Sequence, residues 1–169
     1  DNDCDGDVDE DCDFAPNEGT WVGSNFQFTT DDCLLSTVFS LNEETVLYST
    51  FTLTDDGFQI GLDGFDPVDA TLDLKEFEGV GTIETDLTEG GMLLGIELPP
   101  TDAVITLTNT FTGTFASETE AAAGLTVAGS CEGEDCAAIF LLAGIEGDGC
   151  TSEGTYDLTW SEDGPDDDT

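Results

Sequence analysis

The first thirteen residues, Asp1-Asn2-Asp3-Cys4-Asp5-Gly6-Asp7-Val8-Asp9-Glu10-Asp11-Cys12-Asp13, carry eight carboxylates and two cysteines. The first nine match the pattern D-x-D-x-D-G-x-x-D. A hard cation of the calcium type takes about six to eight oxygen ligands, and alternate aspartates converge on one point. Gly6 permits the sharp turn that brings the carbonyl of the seventh residue inward. Asp1, Asp3 and Asp5 are expected to ligate through their side chains, Asp7 through its carbonyl, and Asp9 directly or through water. Cys12 stands where a helix-flanked calcium loop has its closing glutamate, so Glu10, Asp11 or Asp13 must supply that carboxylate, and no flanking helices are evident. The donors are all hard oxygens without imidazole, which favours Ca2+ over transition metals; magnesium gives up its waters less readily. The competing reading of this head is a solvated acidic leader held only by its cysteines. Outside the head, Asp66 and Asp69 flanking Pro67 could share an ion with a neighbouring chain, while the other acidic turns read as solvated loops.

Six cysteines, Cys4, Cys12, Cys33, Cys131, Cys136 and Cys150, stand in a chain without histidine. An even set with no thiolate-activating base reads as disulfides formed in an oxidising compartment. A zinc or iron–sulfur site is the competitor, but the paired C-x-x-C spacing those sites use is missing. Connectivity stays open, with at least one local bridge expected in each of the N-terminal and C-terminal groups. The chain opens at Asp1 without a signal peptide, which reads as a mature or trimmed terminus. No apolar run approaches the roughly 18 residues of a membrane span, so no membrane insertion is expected.

Across 169 residues, 40 Asp and Glu face a single basic residue, Lys75, for a formal net charge of −39. One cation cannot neutralise a phosphate backbone or an anionic bilayer, which argues against nucleic acid and acidic lipid as partners. Acid–base and nucleophilic catalysis need a tuned partner, and His and Arg are both missing. A paired-carboxylate mechanism survives in principle, yet with so many acids a carboxylate pair carries no information. The chain is therefore read as a non-enzyme. Lys75 could pair with Glu43, Glu44, Glu76 or a partner's carboxylate; a surface pair is worth about 0–1 kcal/mol, and a buried or intersubunit one would matter more.

The elements that must position such a head lie in a Thr- and Gly-rich body from residue 14 to about 160, followed by an acidic tail at 161–169. Apolar and polar residues alternate over Trp21 to Phe28, Thr45 to Leu53, Thr71 to Leu74, Ala103 to Leu107 and Thr155 to Trp160, the period-two signature of half-buried strands. Turn signals separate them at Asp55-Asp56-Gly57, Asp63-Gly64, Glu89-Gly90-Gly91, Pro99-Pro100, Gly147-Asp148-Gly149 and Asp163-Gly164-Pro165. Ser117 to Ala123 could make a helical turn, and Cys136 to Gly144 a buried strand or short helix. The expected fold is all-β: an antiparallel sandwich or closed barrel of about nine to eleven strands behind an N-terminal metal-binding loop. Gly-Thr followed by an aromatic or β-branched residue recurs at Gly19, Gly81, Gly113 and Gly154, as expected where a strand opens after a turn. Pairing of the strands holding Gly19-Thr20-Trp21 and Gly154-Thr155-Tyr156 would close the sheet.

Asp1 to Glu10 resembles the D-N-D-C-D-G-x-V-D-E metal-binding segments of secreted bacterial proteins, which are similar to the calcium repeats of thrombospondin type 3. The resemblance spans about a dozen residues, and one copy stands here where several are usual. It implies an extracellular location and calcium-type ligation by Asp1, Asp3, Asp5 and Asp9, with copper in some relatives. Gly19-Thr20-Trp21 also resembles the G-x-W of lipocalin-type barrels, with the departure that this chain has no Arg to cover the tryptophan. The leading functional expectation is a secreted calcium-binding structural protein that self-associates as the subunit of a filament, sheath or surface layer. The alternative is a monomeric cell-surface binding or adhesion module for a carbohydrate or protein.

Overall fold

The computed structural model describes residues 14–38, 40–62, 66–93, 96–145, 147 and 149–162. The expected calcium loop at 1–13, Cys4 and Cys12 within it, and the tail beyond residue 162 lie outside the described residues.

The alternating segments form ten strands: β1 (Gly19–Asp31), β2 (Leu47–Thr54), β3 (Gly57–Leu62), β4 (Val68–Asp73), β5 (Glu76–Asp86), β6 (Gly91–Leu93), β7 (Ile96–Leu98), β8 (Val104–Ser117), β9 (Glu120–Glu132) and β10 (Gly149–Ser161). Two short helices, α1 (Leu35–Val38) and α2 (Cys136–Ala143), accompany them among the described residues. Eight strands close into a barrel in the order β1-β10-β9-β8-β5-β4-β3-β2, while among the described residues β6 and β7 pair only with each other. The closed sheet is thus smaller than the nine to eleven strands expected. Every neighbour in it is antiparallel, and each strand lies beside the barrel strand that precedes it in the chain. The ring closes where β1 meets β10, with Trp21 opposite Trp160 and Gly23 opposite Leu158.

Period two sorts the side chains. Trp21, Phe51, Phe58, Phe77, Phe111 and Phe115 point inward and form the main core with Ile60 and Leu158. An eight-stranded barrel is just wide enough for side chains to fill, and here aromatic rings do so at one end. Trp21 stacks on Phe51 with centroids 4.9 Å apart, Phe51 on Phe58 at 4.6 Å, and Phe115 stands edge-on to both Trp21 and Phe58. Gly113 makes room for this cluster, since a Cβ there would lie 2.4 Å from the Phe77 ring. At the β2–β3 turn Gly57 is required for a similar reason: a Cβ would meet the Ala70 carbonyl oxygen at 2.1 Å.

Trp21 is fully buried, and its indole N–H donates to the Asn17 carbonyl at 2.8 Å. The Trp160 indole donates to the Glu18 carbonyl at 2.9 Å. Phe14 packs on Phe115 at 5.3 Å, so residues 14–18 seal this end of the barrel without the arginine that lipocalin-type barrels use. Lys75, at the β4–β5 turn, places Nζ 5.5 Å from the Phe14 ring centroid. Among the described residues this cation–π contact stands in place of an ion pair with Glu43, Glu44 or Glu76.

The opposite end is stapled. Cys33 pairs with Cys150, tying the turn after β1 to the start of β10 across 117 residues of sequence. Leu35, Leu41 and Val127 pack around that bridge. Cys131 pairs with Cys136, joining the end of β9 to the first residue of α2, and Ile139 of this helix packs with Leu87, Ala103 and Ile105. The local bridge expected in the C-terminal group is therefore present, and Cys33 spans the two groups.

Cys136–Ala143, open between strand and helix from sequence, is helical and ends at Gly144, whose left-handed φ of 82° lets its N–H and that of Ile145 satisfy the last carbonyls. The helical turn expected at Ser117 to Ala123 is instead the β8–β9 connection running into β9. The Gly-Thr echo also behaves differently from the expectation: Gly19 opens a strand, whereas Gly81, Gly113 and Gly154 lie within β5, β8 and β10.

Candidate functional site

Several carboxylates of the barrel are engaged in local structure. Asp31 accepts from the Leu35 N–H at 2.7 Å, the Ser36 N–H at 3.0 Å, the Ser36 hydroxyl and the buried Ser152 hydroxyl at 2.8 Å. Burial raises its pKa, but the combined hydrogen bonds from Ser36, Ser152 and Leu35 outweigh that and hold it below the ordinary aspartate value. Asp86 accepts the N–H and hydroxyl of Thr88, which lower its pKa in the same way. Asp102 and Asp135 hold the segment before α2: the Asp135 carboxylate accepts the Asp102 N–H at 2.8 Å, and the Asp102 carboxylate accepts the Glu134 N–H at 3.2 Å. Asp69, which with Asp66 was a candidate for sharing an ion, accepts the Gln59 amide at 2.8 Å. Among the described residues no three His, Cys, Asp or Glu side chains gather as a metal site would require. The predicted ligands Asp1, Asp3, Asp5, Asp7, Asp9, Glu10 and Asp13 lie outside those residues.

A different site emerges on the outer wall of the barrel, where β1, β10, β9 and β8 run side by side. Here β1 carries one extra residue: Ser24 lies opposite Asp157 and Gln27 opposite Thr155, leaving Asn25 and Phe26 to share Tyr156. This β-bulge turns Phe26 inward to stack on Tyr156 at 4.9 Å. Asn25 takes up the left-handed conformation, φ 58°, which asparagine tolerates better than most residues, and its amide donates to Asp157 at 2.8 Å. Burial pushes the Tyr156 phenol well above its ordinary pKa, so it stays neutral beneath this surface.

Above the bulge lies an open concavity of about 480 Å³ with Asn25, Gln27, Thr155 and Asp157 on one side and Thr112 on the other. Its floor is Ala122 and Gly124, so low side chains between taller polar ones create the depression. The groove continues into an uncharged rank two strands wide, bordered by Glu76, Glu78 and Glu84 of β5 and by Glu153 and Asp157 of β10. Between Val104 and Ala116 the outward positions of β8 are Thr106, Thr108, Thr110, Thr112 and Thr114, paired in order with Ser130, Ala128, Thr126, Gly124 and Ala122 of β9. None is charged, in a chain where 40 of 169 residues are acidic.

A second open concavity, of about 440 Å³, lies at the β6–β7 hairpin between Glu89, Glu97, Pro99 and Pro100. Tyr48 is 45% exposed beside Val46 and Leu47 at the start of β2, whereas Trp21 is buried and Trp160 half-buried. The sequence reading missed the groove, although a parity change marks it: inward positions are odd at Trp21 and Gly23 and even at Phe26, which requires an extra residue between them. No protein-family model matches the chain, and neither a curated protein nor a solved structure shows significant similarity to it.

Proposed function

We propose that the chain is a secreted surface-binding module, in which an N-terminal calcium-type loop precedes a rigid barrel that presents a polar groove to an extracellular ligand. Closure of the sheet is the observation that carries this reading. A subunit that polymerises by strand addition needs an unpaired edge. The eight barrel strands leave none, because β10 returns to β1. The two disulfides among the described residues support an oxidising compartment. The residue types favour binding over catalysis, since His and Arg are missing and the one Lys lies over Phe14. Calcium held by Asp1, Asp3, Asp5 and Asp9, closed by Glu10 or Asp13, would order the head and relieve its self-repulsion.

The filament or sheath reading keeps one specific support: among the described residues β6 and β7 pair only with each other, so the hairpin offers short unpaired edges. Light scattering separates the two. Calcium is titrated into chelator-treated protein at fixed ionic strength, with the Asp3→Asn/Asp5→Asn variant alongside and calorimetry on both. The expected result is a particle that stays monomeric while the wild-type protein alone takes up calcium. Growth into chelator-reversible fibres would transfer the assignment to the structural polymer, and equal calcium uptake by the variant would remove the ion from the head.

A further inference from the structure

We propose that the groove on the outer wall, with the threonine rank leading out of it, binds a neutral carbohydrate chain. The inference rests on the surface-module reading and deepens it by naming the site and the ligand chemistry. The chemistry follows from the lining. Asn25 commits one amide hydrogen to Asp157 and so fixes both side chains. The amide oxygen of Asn25, the remaining carboxylate lone pairs of Asp157, and the Gln27, Thr112 and Thr155 side chains face the same space. Carboxylate accepts hydroxyl protons strongly, while amides and hydroxyls both donate and accept. That mixture suits vicinal hydroxyls, which need donors and acceptors within one short span.

Charge selects further. Asp157 in the groove and Glu153 on the same strand, within a chain of net charge −39, disfavour uronates, sulfated sugars and phosphate. The rank from Thr114 to Thr106 on β8 is itself uncharged, and Glu76, Glu78 and Glu84 of β5, opposite Thr114, Thr112 and Thr106, border it with carboxylates that can accept further sugar hydroxyls. The floor keeps the groove open by being small: a Cβ on Gly124 would lie 2.9 Å from the Thr112 hydroxyl. The groove has no aromatic platform among its lining residues, apart from Tyr156, whose ring stacks inward on Phe26. A single sugar is therefore held weakly, and affinity accrues with the number of residues engaged along the rank.

Affinity electrophoresis of the full chain in gels containing dextran, mannan or xyloglucan, with polygalacturonate as the anionic comparison, tests the proposal. Ala122→Glu fills the floor with a charged side chain, and Asp157→Ala removes the principal acceptor; both positions face solvent, and thermal melts check that both variants fold. At least one neutral polymer is expected to retard the wild-type protein, while its monosaccharide competes poorly. Asp157→Ala should weaken that retardation by about tenfold, as loss of a hydrogen bond to a charged group implies, and Ala122→Glu should abolish it. Retardation that persists in both variants would overturn the groove assignment while leaving a glycan-binding module. Retardation by polygalacturonate alone would overturn the ligand chemistry. A protein that ignores all three neutral polymers yet stays monomeric in the calcium titration would overturn the carbohydrate site and leave the surface-module reading standing.

Discussion

Asp31 touches three elements at once. From the end of β1 its carboxylate holds the first turn of α1 through Leu35 and Ser36, and it reaches β10 through Ser152, whose hydroxyl accepts the Cys33 N–H at 3.0 Å. Asp31→Ala removes those acceptors together and is expected to cost about 1–2 kcal/mol at neutral pH. Because the folded pKa lies below the ordinary value of 3.8, the carboxylate's contribution is fully present above that value and is lost as pH falls through the folded pKa. Urea unfolding of wild type and variant should therefore converge as the pH drops well below 4. A gap that is constant with pH would show that the contacts are not charge-assisted. The same residue looked, in the sequence, like half of an acidic turn, Asp31-Asp32. Its role depends on Ser152, 121 positions away.

At the scale of elements, the two disulfides should differ in weight. In the chain-entropy account, closing a long loop restricts the unfolded state more than closing a short one. The Cys33–Cys150 bridge spans 117 residues of sequence and Cys131–Cys136 spans 5. Those separations correspond to about 5 and about 2 kcal/mol. Cys33→Ser/Cys150→Ser is expected to lower the melting temperature clearly more than Cys131→Ser/Cys136→Ser. The reverse order would mean that fixing α2 on Ile105 and Leu87 matters more than loop closure. Thiol labelling of untreated protein should leave these four cysteines unmodified. The helix supplies a further lesson: the run Cys136 to Gly144 has no clear period, and its covalent tie to Cys131 together with packing of one face decides for helix.

For the whole molecule, 40 acidic residues face one lysine, so the charged groups repel one another. Such repulsion destabilises the compact state and is relieved by screening. Raising sodium chloride from about 10 mM to about 150 mM shortens the Debye length from roughly 30 Å to roughly 8 Å. The melting temperature, measured with chelator present, should rise by several degrees over that interval. A flat or falling response would mean that the charges lie too far apart to repel, or that specific polar contacts carry more of the stability than expected. Calcium added at the high-salt end should then act only through the head.

Much of this protein was written locally. The all-β class, the inward aromatics and the turns at Asp55-Asp56-Gly57 and Glu89-Gly90-Gly91 follow from period-two alternation punctuated by Gly, Asp and Pro, because those signals depend on residues a few positions apart. Disulfide formation and the closure between the first and last strands were readable as well, from cysteine parity and from Trp21 and Tyr156 at the two ends of the body. What only the tertiary structure decided is how distant segments meet. Trp21 opposite Trp160, Cys33 bonded to Cys150, and Asn25 held to Asp157 each join residues more than a hundred positions apart. The groove needed all of that, since its floor comes from β9 and its walls from β1, β8 and β10. Closing a barrel sets such neighbours by strand register, and register is a property of the whole ring, which no local window of sequence contains.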